Sequence, residues 1–134
     1  MHLFTYGSLM FPQVWTVVVR GDYPPHPARL HGHQRRRIQG ETYPAAIAAS
    51  TTDFIDGQLY LNISPDDMQR LDHFEGDGYA KIEVPVTLSD NRVVTAAVYL
   101  YRHPERLATQ DWDVAWFERE GIHAFLAQYG GFER

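Results

Sequence analysis

The chain contains no cysteine. Disulfides, thiolate metal sites and a cysteine nucleophile are therefore excluded. It contains one lysine, Lys81, so its positive charge is almost all arginine. Positive charge is also in deficit, with 12 Lys and Arg against 17 Asp and Glu and a formal net charge of -5. That balance argues against nucleic acid or an anionic membrane surface as a general partner. No apolar run approaches the roughly 20 residues of a membrane-spanning helix. The first residues, Met1-His2-Leu3-Phe4-Thr5-Tyr6, already alternate, and no basic segment precedes an apolar stretch. No signal peptide is expected, and the expected location is the cytoplasm. A Walker loop, a Gly-x-Gly-x-x-Gly fingerprint and a Gly-x-Ser-x-Gly elbow are all missing.

What is present fits one globular domain over residues 1–134. Leu3 to Tyr6 reads as a short strand that stops at Gly7. Pro12 to Arg20 reads as a short helix with Gly21 as its stop, although Val17-Val18-Val19 also suits a strand. Asp22 to Pro27 holds three prolines and reads as a loop. Arg29 to Ile38 reads as extended, with Gly32 marking a bulge or a close backbone approach. Gly40 to Ala46 reads as irregular around Tyr43-Pro44.

Ile55 to Ile63 reads as a strand carrying the alternating set Gly57, Leu59, Leu61 and Ile63. Ser64-Pro65-Asp66-Asp67 is a helix start: Ser64 caps, Pro65 fits the first turn, and two acids favour the positive end. That helix carries Met68, Leu71 and Phe74 inward and stops at Gly76. Ile82, Val84, Val86 and Leu88 alternate, Ser89-Asp90-Asn91 turns, and Val94, Ala96, Val98 and Leu100 alternate again, which predicts a hairpin. Trp112 to Tyr129 has helical spacing, with Gly121 as a point where it splits in two. Six strands and three or four helices, unevenly ordered, predict an α+β domain with a curved or closed sheet.

Two places draw chemical interest. A strand ending in glycine turns sharply, and the N–H groups after such a turn are free to converge on a ligand oxygen. Tyr6-Gly7-Ser8-Leu9 has that form, although alone it reads first as an ordinary strand-ending turn. Glu75 ends the helix begun by Ser64. The negative end of the helix dipole, the neighbours Asp72 and Asp77, and any burial all favour its protonated form. A general base working near neutral pH benefits from that shift. A solvated acid at a helix end is the competing reading.

Other features read blandly. His31 and His33 alternate on a strand and would share one face, but no third ligand has a recognisable spacing, so no metal is expected. Arg35-Arg36-Arg37 reads as a solvated strand face with one inward arginine, ahead of a nucleic-acid patch. Trp112, Trp116 and Phe117 read as core.

These pieces have an order. Phe4-Thr5-Tyr6-Gly7-Ser8-Leu9-Met10 comes first, then Tyr43-Pro44-Ala45, then Gly57-Gln58-Leu59-Tyr60. Leu71-Asp72-His73-Phe74-Glu75-Gly76 is next, with Tyr79 shortly after. The arrangement resembles the gamma-glutamylcyclotransferase-like family, including its AIG2-like and gamma-glutamylamine cyclotransferase branches. The likeness runs from Leu3 to about Val98, and Phe125-Leu126 to Gly131-Phe132 also looks like AIG2-like members.

The resemblance implies a small mixed β-barrel flanked by short helices. It implies a cavity shared by the Tyr6 to Leu9 loop and Glu75, with Tyr43 and Tyr79 as further substrate-binding residues. It implies intramolecular aminolysis. The α-amine of a γ-glutamyl group attacks its own γ-carbonyl and gives 5-oxoproline and a free amine or amino acid. One carboxylate suffices to move the proton, and no metal or cofactor is implied. A non-catalytic binding domain using the same pocket is the alternative. The partner implied is a small γ-glutamyl compound, and the oligomeric state is not read.

Overall fold

The computed structural model describes residues 1–129. Gly131 and Phe132, part of the C-terminal likeness, lie outside the described residues, as does the side chain of Tyr129. Seven strands form: β1 Leu3–Thr5, β2 His26–His31, β3 His33–Arg37, β4 Pro44–Ala48, β5 Phe54–Tyr60, β6 Tyr79–Leu88 and β7 Val93–Tyr101. Five of them close a barrel in the order β1-β5-β2-β6-β7. Neighbours are antiparallel except β1 and β7, which close the barrel in parallel at Leu3 and Ala97. The sheet is therefore mixed. Strands β3 and β4 form a separate two-stranded ribbon with Arg35 opposite Ala46 and Arg37 opposite Pro44.

Short helices cover the barrel: α1 Pro12–Val18, α2 Pro65–Glu75, and a C-terminal run of α3 Val114–Trp116 and α4 Ile122–Tyr129. Among the described residues no helix is long and apolar enough to cross a membrane. The period-2 pattern divides the core. Phe4, Leu59, Val86 and Val98 fill the barrel, while Leu3, Tyr60, Ala97 and Tyr99 face the helices. Adjacent residues of β1 and β7 are buried on both faces because helices cover the outer one. Trp15 of α1 stacks on Tyr60 at 3.6 Å between ring centres, nearly parallel.

Several sequence expectations are corrected. The extended stretch Arg29 to Ile38 is two strands in two sheets, because Gly32 has φ +77 and reverses the chain. His31 and His33 end one strand and begin the next, and so do not share a strand face. The proline-rich loop ends earlier, since Pro27 sits inside β2 opposite Gln58. It is tolerated there because β2 pairs with β6 only through Ala28 and Arg29, leaving its second edge open at Pro27. Tyr43-Pro44 is not in an irregular stretch throughout: Pro44 begins β4. The strand starting near Ile55 ends at Tyr60, so Leu61 and Ile63 lie beyond it, and Asn62 turns the chain with φ 55.

The helix begun at Pro12 ends at Val18 rather than Arg20, and Val19 is already extended. Gly121 does not split the C-terminal helix. It closes a π-helical turn, Phe117–Gly121, that runs straight into α4. The Trp116 ring occupies the space a Cβ at Gly121 would need. Trp116 is therefore a surface cover, 37% exposed, while Trp112 and Phe117 are core.

Candidate functional site

The site is built from two local structures. After β1 the chain passes through Tyr6 to Gly7 and into one 3-10 turn, Ser8–Met10, closed by Met10 N–H on the Gly7 carbonyl at 3.0 Å. A Cβ at Gly7 would lie 2.8 Å from the Pro44 ring, so glycine is what lets β4 pack onto the loop. The N–H groups of Gly7, Ser8 and Leu9 open this turn and have no acceptor among the described residues.

The second structure is α2. Ser64 accepts from Asp67 N–H at its start, and Leu71 is fully buried. The helix stops at Gly76 with φ 74, whose N–H returns to the Asp72 carbonyl at 3.1 Å. Glu75 is thus the last helical residue, held by a packed helix on one side and a glycine stop on the other.

A cavity of about 290 Å³ lies between the two. That is the low end of the range for small-molecule sites, roughly 300–1,000 Å³. Its wall includes Tyr6, Gly7, Ser8, Leu9, Tyr43, Glu75 and Tyr79. Residues more than sixty positions apart therefore meet in one space.

Burial first, and the negative charge of Asp72 second, push the Glu75 carboxyl from 4.5 to about 8. In the sequence, the helix end and both neighbouring acids stood ahead of burial as reasons for a raised value, and Asp77 is not among the causes. Asp72 itself is fixed by the Tyr99 hydroxyl at 2.7 Å and by Lys81 Nζ at 3.0 Å. Among the described residues nothing donates a hydrogen bond to the Glu75 carboxylate. At pH 7 it is mostly a neutral acid, and its bonding capacity is open to a ligand.

The tyrosines act as fixed walls. The Tyr6 hydroxyl donates to the Tyr99 carbonyl at 2.5 Å. Burial, then Glu75, raise its pKa well above 10, against a smaller opposing effect of the nearby Ala46 backbone. The Tyr79 hydroxyl donates to the Pro44 carbonyl at 2.8 Å, and burial, then Tyr6 and Glu75, raise its pKa in the same way. Tyr43 sets its ring edge-on to Phe125 at 6.3 Å. Both phenols with raised pKa stay neutral through the working range, whereas the Glu75 carboxyl changes charge near pH 8.

Among the wall residues that sequence reasoning missed are Tyr101, at the end of β7, and His103 and Arg106 just beyond it. One signal existed for the first of them. Counting back from the Ser89-Asp90-Asn91 turn pairs Tyr79 with Tyr101, and the two rings do sit 5.3 Å apart. Elsewhere, His33 Nδ1 lies 3.0 Å from the His31 carbonyl. Among the described residues no cluster of three or more His, Asp or Glu side chains is placed to hold a metal. Of the arginine run, Arg35 is the inward one, with its side chain 13% exposed.

A closed mixed barrel with a carboxylic acid and a strand-end loop sharing one cavity defines a recognisable class. The chain matches the family model described as gamma-glutamyl cyclotransferase, AIG2-like, over residues 3–114, and it belongs to that family. It is 31% identical over 90 residues to Protein AIG2 C of Arabidopsis thaliana, covering 67% of this chain and 54% of that protein. The matched segment thus spans about half the length of that plant relative. A solution structure of a protein from Arabidopsis thaliana superposes with TM-score 0.72 at 23% identity, over 96% of this chain and 78% of that one. A solved gamma-glutamyl cyclotransferase gives TM-score 0.65 at 21% identity, over 75% of this chain and 66% of that one. Likeness at these identities shows the fold.

Proposed function

We propose that this protein is a γ-glutamyl cyclotransferase in which Glu75 carries the proton. The observation that supports this most is the carboxyl itself. It is half-buried, enclosed enough to be shifted to about 8, without a donor among the described residues, and in one cavity with the N–H groups of Gly7, Ser8 and Leu9. An α-amino group titrates near 8, so proton exchange between it and Glu75 is close to thermoneutral.

The steps balance without another reactant. The α-ammonium of the γ-glutamyl group passes a proton to the Glu75 carboxylate. The amine nitrogen then attacks the γ-carbonyl carbon, and the ring C–N bond forms. Negative charge collects on the carbonyl oxygen, for which the loop N–H groups are the donors. One such donor is worth roughly 3–4 kcal/mol. Collapse breaks the bond to the leaving nitrogen, which takes the proton back from Glu75; the ring nitrogen then gives its second proton to the Glu75 carboxylate, which passes it to the released amine and is regenerated. The products are 5-oxoproline and a free amine or amino acid. Because nucleophile and carbonyl belong to one molecule, holding it folded within Tyr6, Tyr43 and Tyr79 supplies much of the rate.

The test is 5-oxoproline release from a panel of γ-glutamyl amino acids, amines and glutathione, by wild type and Glu75→Gln. Glutamine keeps the shape and loses the proton transfer, so turnover falls by about 10²–10⁴. In kcat/KM the acidic limb lies near pH 8, since Glu75 must be ionised to accept the proton. A variant retaining more than about a tenth of the wild-type rate refutes the role. If the panel binds and no 5-oxoproline ever forms with wild type, the protein is a binding domain.

A further inference from the structure

We infer that Arg35 is a positioning residue that aims and polarises the Gly7 N–H from outside the cavity. The inference rests on the cyclotransferase reading for its consequence in turnover, and on geometry for the rest. Arg35 Nη1 donates to the Tyr6 carbonyl at 3.2 Å. Among the described residues no cis peptide is present, so the Tyr6–Gly7 peptide is planar and trans. In such a unit the carbonyl and the following N–H point in opposite directions. A guanidinium that fixes the Tyr6 carbonyl on its own side turns the Gly7 N–H to the other side. Arg35 lies behind the loop, lining surface clefts away from the cavity, while Gly7 lines the cavity.

The guanidinium is built in rather than loose. Its Nε and Nη2 donate to the two Asp111 oxygens at 3.0 and 3.4 Å, and it lies 5.5 Å from the Trp112 ring centre. Trp112 is pinned in turn by Nε1–H on the Thr42 carbonyl at 2.8 Å. The opposite strand in the ribbon completes the grip. Arg35 pairs with Ala46, two residues along β4 from Pro44. The β3–β4 ribbon therefore holds Tyr6 at its carbonyl and presses Pro44 against Gly7, while β7 holds the Tyr6 phenol through the Tyr99 carbonyl. A positive charge on the carbonyl draws electron density from the same peptide's nitrogen and strengthens its N–H as a donor. That is the donor an oxyanion at the γ-carbonyl needs.

The test uses the full chain and four variants of it. Arg35→Gln is expected to lower kcat for 5-oxoproline release about ten- to hundredfold with KM little changed. That is less than the 10²–10³ of a whole lost donor, because the N–H remains. Arg35→Lys, which keeps a charged donor for the carbonyl, recovers part of the loss. Asp111→Asn removes the ion pair and leaves the Tyr6 carbonyl bonded, so it loses less than Arg35→Gln. A merely structural role would instead make these losses follow thermal stability. The readout independent of turnover is the Gly7 amide proton by NMR. Arg35→Gln moves it upfield more than Ser8 or Leu9, and weakens the shift that added 5-oxoproline causes there. A Gly7 amide unmoved in folded Arg35→Gln overturns the inference, as does equal loss in Asp111→Asn. If no γ-glutamyl compound is turned over, the cyclotransferase reading fails and the Gly7 amide alone decides. Glu75→Gln is the fourth variant. It leaves the Gly7 amide responsive to Arg35→Gln, and a response lost there also counts against Arg35.

Discussion

Glu75→Gln tests the burial of the carboxyl without any substrate. In the folded protein the acid keeps its proton to about pH 8, against an ordinary value of 4.5. Below pH 4.5 both folded and unfolded states hold the proton, and Glu75 contributes no pH dependence. Between pH 4.5 and 8 the unfolded chain releases it and the folded chain does not. The folded state then binds more protons, so stability falls as pH rises. At about 1.36 kcal/mol per pH unit, the interval from 4.5 to about 8 corresponds to about 5 kcal/mol as an upper bound. Glutamine has no proton to release and escapes this loss. For a domain of this size 1 kcal/mol moves Tm by about 3–5 °C, so the variant gains at most roughly 15–25 °C on wild type at pH 9. The assay is thermal unfolding of both proteins from pH 4.5 to 9. Taking the difference between them cancels the other titrating groups. A Tm difference that is flat across this range refutes the reasoning, because it means the wild-type carboxyl titrates alike in both states.

Two further substitutions test the frame of the site. Gly57→Ala drives a Cβ onto the Thr5 carbonyl and to 2.8 Å from the Phe4 ring, at the β1–β5 seam; a loss of about 3 kcal/mol or more is expected from the urea midpoint. Asp67 is buried and accepts from Arg20 N–H at 2.9 Å, Gly21 N–H at 3.0 Å and the Tyr23 hydroxyl at 2.7 Å. Burial acts to raise its pKa, but these donors outweigh it and hold the carboxyl below its usual 3.8. Asp67→Ala leaves them unpaired and is expected to cost about 2–4 kcal/mol, with the difference from wild type shrinking as pH falls through the lowered pKa.

The chain announced those parts whose cause is local. Ser64 and Pro65 start α2 and Gly76 ends it, because caps act within a turn of their own residues. The alternation on either side of Ser89-Asp90-Asn91 set the β6–β7 hairpin and its register, because side-chain direction has period 2. The strand-end loop at Gly7 and the acid at Glu75 were legible from the same local signs, together with the family likeness. Features that depend on distant contacts were decided by the tertiary structure alone. The parallel pairing of β1 with β7 that closes the barrel joins residues over ninety positions apart. Gly32 sends β3 out of the barrel because a positive φ reverses the chain, which alternation of polar residues does not reveal. That exit places Arg35 behind Tyr6 and Pro44 against Gly7. The state of Glu75 was settled in the same way. A helix end next to two acids gives a direction, but the shift to about 8 comes chiefly from being enclosed, and enclosure is a property of the assembled barrel.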